Sequence, residues 1–174
     1  MLGTFITILG LIAVGVLALF GHELTGWFSP QLMGEAKPDA LRSFFLQTAG
    51  FPAIDCGEVE IRHDPSAATD CAFKAFDEKK AFYVRYDVQG IDSRVAGALV
   101  GDGKGQVYGV EYDSYGWSDE GIKKPSVLSK DRHLIITPCP APIKLTKTKS
   151  GRLTCFPPSR EYEHNLMSPN AEAY

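Results

Sequence analysis

The sequence predicts an α+β protein in which an N-terminal transmembrane helix is followed by a small domain with one helix packed on an antiparallel meander sheet. Three observations predict it. No charged side chain precedes Glu23, so residues 2–20 are almost wholly apolar. From Asp64 to Lys80 the apolar positions recur with helical spacing, and from Phe82 the spacing changes abruptly to two.

Residues 2–20 read LGTFITILGLIAVGVLALF. As a helix they would span roughly 28 Å, close to the hydrocarbon thickness of a bilayer. The hydroxyls of Thr4 and Thr7 can bond back to helix carbonyls, and Trp27 and Phe28 suit the exit interface. A cleaved signal peptide would show a basic leader and small residues before the cut. Here the run ends Leu19, Phe20, Gly21, His22, so retention as an anchor is expected. The expected organisation is an anchor over 1–21, a linker or short juxtamembrane helix over 22–50, an extracytoplasmic domain over 51–157 and a flexible tail over 158–174.

The chain has 174 residues and a formal net charge of -3, without the clustered Lys and Arg of a nucleic-acid footprint. Lys37 and Arg42, the first basic residues after the apolar run, lean towards a cytoplasmic domain. Four cysteines argue for an oxidising compartment and carry more weight, because long segments translocate regardless of their charge. Sequence alone allows Cys56, Cys71, Cys139 and Cys155 to pair in any of the three ways open to four thiols. Cys56 to Cys71 and Cys139 to Cys155 are favoured, each closing a short loop whose constraint is worth roughly 3 kcal/mol. No C-x-x-C occurs, and His63, His133 and His164 stand at no ligand spacing from the thiols, so neither a zinc site nor a redox dithiol is expected. No cofactor is expected either.

Along the chain, residues 35–51 contain a short helix candidate with Asp39 as cap and Leu41, Phe44 and Phe45 apolar. It would rest on the membrane surface or on the domain, or serve only as a spacer. Asp64 and Pro65 suit the start of a second helix, whose face carries Ala68, Cys71, Ala72, Ala75 and Phe76 up to Lys79 and Lys80. Phe82, Val84, Tyr86 and Val88 then alternate with Tyr83, Arg85, Asp87 and Gln89, the pattern of a strand with one buried face. Arg85 is expected opposite Glu111 or Asp113 as a cross-strand ion pair. Further strands are expected over 95–100, 106–112, 133–137 and 152–156, with Pro157 and Pro158 closing the domain.

The run Gly101, Asp102, Gly103, Lys104, Gly105 lacks the G-x-x-x-x-G-K-[ST] of a phosphate loop and falls between strands, so it reads as a hairpin turn. Residues 111–120 pack acids and aromatics into a loop. From it Tyr112, Asp113, Tyr115 and Trp117 are drawn as candidate binding residues, since exposed aromatics on loops are common recognition elements. The competing reading packs Tyr112 and Trp117 against the core and leaves the acids solvated. A calcium loop fails for want of alternating oxygen ligands with a distal Glu, and Ser114 lacks a G-x-S-x-G context. Asp92 and Ser93 beside Gly90 read as turn chemistry, and no catalytic residue is assigned.

Asp55, Cys56 and Gly57, then Phe82, Val84 and Tyr86, Gln89, Gly90, Ile91, Asp92 and Ser93, and finally Tyr108, Tyr112, Asp113 and Ser114 give a pattern over 55–155 that resembles small exported or membrane-anchored bacterial domains of unknown function. The resemblance implies an exported single domain with paired cysteines. It implies no activity.

The function expected is a membrane-anchored extracytoplasmic binding or interaction module of the bacterial envelope. The alternatives are a small envelope hydrolase using Asp92, Asp113 or Asp119, which would need those carboxylates to converge in a pocket, and an accessory subunit of an envelope complex. The expected partners are the membrane, through residues 2–20, and an envelope protein, with no nucleic acid. The expected location is the cell membrane, single-pass, with the domain facing the periplasm or exterior.

Overall fold

Ala40–Ala49 has neither glycine nor proline and spaces Leu41, Phe45 and Ala49 four apart, and it forms helix α1 with those three side chains buried. The computed structural model describes residues 40–120, 122–159 and 166–167. The expected membrane segment over 2–20 and the cap at Asp39 lie outside them. Among the described residues no helix is long and apolar enough to cross a membrane.

After α1 come β1 (Ile54–Val59), α2 (Ser66–Asp77), β2 (Ala81–Val88), β3 (Val95–Asp102), β4 (Val107–Asp113), β5 (Val127–Leu128), β6 (Leu134–Pro138), β7 (Thr146–Lys147) and β8 (Leu153–Thr154). The main sheet has the order β1-β2-β3-β4-β6-β5, and β7 and β8 form a separate hairpin. Every pairing is antiparallel except β1 with β2, which are parallel. The α+β class and the meander are therefore present, but with two corrections to the expected arrangement. A parallel strand precedes the meander, and two helices flank the sheet instead of one.

The helices cover opposite faces, as the parity of the strand residues shows. Phe82, Val84, Tyr86, Leu99 and Val107 pack with Ala68, Ala72 and Ala75 of α2. Ala96, Ala98, Val100, Val110 and Tyr112 pack with Leu41, Phe45 and Ala49 of α1. The Phe45 ring stacks on Tyr83 at 4.8 Å, and Phe44 meets Tyr108 edge-on at 6.5 Å. A strand covered on both sides loses its alternation, which is why Ala96 to Gly101 of β3 is buried throughout. The first helix thus belongs to the folded domain, whose described part begins at residue 40 and not at 51.

At the start of α2 Pro65 occupies the cap position without a side-chain cap bond, one residue later than the expected Asp64, whose carboxylate accepts from the Ser66 N–H (3.0 Å) and hydroxyl (2.7 Å). These bonds hold its pKa below the ordinary carboxylate value. Cys56 bonds to Cys71, tying β1 to α2, and Cys139 bonds to Cys155, tying the end of β6 to the residue after β8. These are the favoured pairings.

Two glycines of the sheet make room for bulky neighbours. A Cβ at Gly109 would lie 2.4 Å from the Phe156 ring, and one at Gly97 would lie 2.4 Å from the Met167 sulfur. Within the expected tail over 158–174, Met167 is buried in the α2-side core. The thioether fills the hollow that glycine leaves in β3.

Arg85 also departs from expectation. Its Nε lies 2.7 Å from Asp87 and 3.4 Å from Glu58, and its guanidinium lies over the Tyr112 ring at 5.6 Å, on the α1 side. Neither Glu111 nor Asp113 takes the pairing role. Glu111 points to the opposite face, beneath Leu166, because strand neighbours alternate.

Candidate functional site

At one end of the sheet the β2–β3 connection lies beside the segment that leaves β4. The Ser114 N–H donates to the Arg94 carbonyl (2.9 Å), and the Arg94 N–H donates to the Ser114 hydroxyl (3.0 Å). This reciprocal pair extends the β3–β4 ladder past Val95 and Asp113 by one step. The Asp113 carboxylate accepts the Tyr115 N–H at 2.8 Å, and its carbonyl accepts the Gly116 N–H at 3.1 Å, which closes a tight turn.

A second turn, over 129–133, buttresses the first. Asp131 accepts the Ser129 hydroxyl and the His133 N–H, and these bonds lower its pKa. The Arg132 carbonyl accepts the Trp117 N–H at 2.6 Å, while its guanidinium donates to the Trp117 carbonyl (3.2 Å) and to Asp119 (3.1 Å). His133 sits 3.0 Å from the Asp113 carbonyl through Nδ1. The loop is therefore held in shape by main-chain and ionic contacts, which leaves some of its side chains for other use.

The four candidate residues separate by position. Tyr112 is in β4, buried under Arg85, and belongs to the α1-side core. Asp113 spends its carboxylate on the turn. Trp117 is partly buried, and its indole N–H, shielded from solvent, has no acceptor among the described residues. Tyr115 projects into solvent with 72% of its surface exposed, and Ile91 on the neighbouring connection is fully exposed. Sequence reading placed Ile91 only within the wider pattern; its position after Gln89 and Gly90, in the break between two strands, was the available signal.

No protein family, curated protein or solved structure matches this chain.

The carboxylates required by a hydrolase do not converge. Asp92 is exposed on the β2–β3 connection, Asp119 pairs with Arg132, Asp113 is engaged in its turn, and none of them lines the cleft beside Phe44 or the cleft beside Phe76. Among the described residues no group of His, Cys, Asp and Glu could hold a metal ion. Among the described residues the one buried carboxyl is Glu111, only 6% exposed; its Oε2 accepts the Leu166 N–H at 3.3 Å, and burial pushes its pKa up to about 7. It lines neither the cleft beside Phe44 nor the cleft beside Phe76.

Two clefts among the described residues lie away from these carboxylates. One, of about 470 Å³, runs between Ser43, Phe44 and Gln47 of α1 and the 129–136 stretch. The other, of about 630 Å³, lies between the C-terminal turn of α2 and the β3–β4 hairpin. Sequence reading assigned Lys79 and Lys80 to a helix end and Lys104 to a hairpin, and the pairing of Ala81 with Asp102 is what gathers them around one opening.

Proposed function

We propose that this protein is a membrane-anchored interaction module that presents the Ile91 and Tyr115 end of its sheet to a protein partner outside the cytoplasm. The observation that carries this reading is the combination of a fully exposed isoleucine and a largely exposed tyrosine on adjacent connections pinned by the Ser114 and Arg94 hydrogen bonds. Apolar side chains held in place before binding lose little conformational entropy on contact, so they contribute more to affinity than mobile ones. Two disulfides fit an oxidising compartment, and the apolar run over 2–20 fits a tether.

The test is site-specific photocrosslinking in native membranes. A photoreactive amino acid in place of Tyr115 should capture a discrete protein, and Ile91→Asp should abolish the capture while leaving the disulfides intact. Capture unaffected by Ile91→Asp, or no product from position 115, would reject the reading. Extraction of the full chain by alkaline carbonate would remove its membrane part.

A further inference from the structure

The opposite end of the sheet carries a different chemistry. The larger cleft has an apolar floor that includes Phe76, Phe82 and Ile143, and its rim carries the ammonium groups of Lys79, Lys80 and Lys104 against a single carboxylate, Asp77. Its volume of about 630 Å³ falls in the ordinary range for small-molecule sites. Lys80 is held by Glu78 at 2.6 Å, whereas Lys79 and Lys104 have no ion-pair partner among the described residues.

Five main-chain donors around the opening, those of Lys79, Lys80, Asp102, Lys104 and Gln106, are already committed. The Lys79 and Lys80 N–H groups donate to the carbonyls of Phe76 and Ala75, closing the helix. The Asp102 N–H donates to the Gln106 carbonyl, and the Asp102 carboxylate takes the N–H groups of Lys104 and Gln106. An added peptide strand needs an open edge; here Ala81 pairs with Asp102, and Gly101 pairs with Val107. What remains is apolar surface beside unpaired positive charge.

We infer that this cleft binds the anion of a free long-chain fatty acid, its tail over the partly exposed Phe76 and Ile143 and its carboxylate at Lys79 and Lys104. The tail removes apolar surface from water, and the head meets two ammonium groups that would otherwise face only solvent. An uncharged tail of the same length gains the first contribution without the second. The site lies at the end of the sheet away from Ile91 and Tyr115, so it does not depend on the partner proposed there.

The test uses the full chain in membranes, a palmitate carrying a diazirine on its tail, irradiation, and mapping of adducts by mass spectrometry. Saturable adducts within 76–82, 101–107 or 141–143 are expected, displaced by unlabelled palmitate. Lys79→Glu with Lys104→Glu should weaken half-saturation by about tenfold, a modest factor because both groups are exposed. The methyl ester of the same probe should label the wild-type cleft poorly, a comparison that needs no variant to fold. Adducts mapping only outside these segments, or equal labelling by acid and ester, overturn the inference.

Discussion

The Tyr86 hydroxyl lies 2.9 Å from the Thr69 hydroxyl, joining the centre of β2 to α2 inside the core. Thr69 donates its own proton to the Gly151 carbonyl (2.9 Å), so Tyr86 is the donor in the shared bond, and its oxygen accepts the Leu153 N–H at 3.2 Å. One buried phenol thus connects a strand, a helix and the β7–β8 hairpin. Burial pushes its pKa above the ordinary tyrosine value. Tyr86→Phe leaves the Leu153 N–H without an acceptor, and the expected cost is about 1 to 3 kcal/mol in urea denaturation. A neutral result would show that the hydroxyl network contributes nothing net.

Gly109→Ala forces a methyl group against the Phe156 ring, which is itself buried and has little room to retreat. The expected loss is about 1 to 3 kcal/mol. Phe156→Leu in the same chain should recover part of it, so the double variant should be more stable than the sum of the single changes. Strict additivity in thermal unfolding would refute the contact.

Glu111 makes stability depend on pH in an unusual direction. Its folded pKa of about 7 lies above the ordinary 4.5, so between those values the native state binds more protons than the unfolded chain. Stability should therefore fall as pH rises from about 4.5 to about 7 and level off beyond, with a total contribution of up to about 3 kcal/mol. Glu111→Gln keeps an acceptor for the Leu166 N–H and removes the titration. The difference in unfolding free energy between variant and wild type should grow over that window and stay flat outside it, which denaturant titrations at several pH values would check.

Cys139→Ser with Cys155→Ser removes the link between the end of β6 and the segment after β8. The lost loop constraint is worth roughly 3 kcal/mol, a fall in Tm of at least 10 °C or so for a domain of this size. Titration of the native protein with a thiol reagent should find no reactive cysteine. Four reactive thiols would reject both pairings and the oxidising compartment with them.

Legibility of the fold followed locality. β2 was readable because Phe82, Val84, Tyr86 and Val88 alternate over eight residues, and α2 because its alanines recur on one face. β1 was not readable. Its sequence IDCGEV mixes two acids with a glycine, and the register slips between Asp55 and Glu58, so no period survives. The apolar stripe of α1 was visible, but a stripe looks the same whether it covers lipid or a sheet, and only the partner face of β3 decides. The burial of Met167 could not be read because its counterpart is an absence, the missing side chain of Gly97 seventy residues earlier. In the loop, a strand running to Asp113 separates buried Tyr112 from exposed Tyr115, and a shift of one or two residues in the strand end would have exchanged their roles.

The bond between Cys56 and Cys71 lies within β1, α2 and the turn that joins them, so the outermost strand is stitched to the very helix that carries the chain across to β2. That stitch forbids the strand from peeling away to be traded with another copy, since α2 would have to follow it out of the core. At the far border β5 is only two residues long, too short a template for a stranger's backbone. One margin is thereby guarded against strand exchange by a covalent tie, and the other offers too brief a template for an added strand.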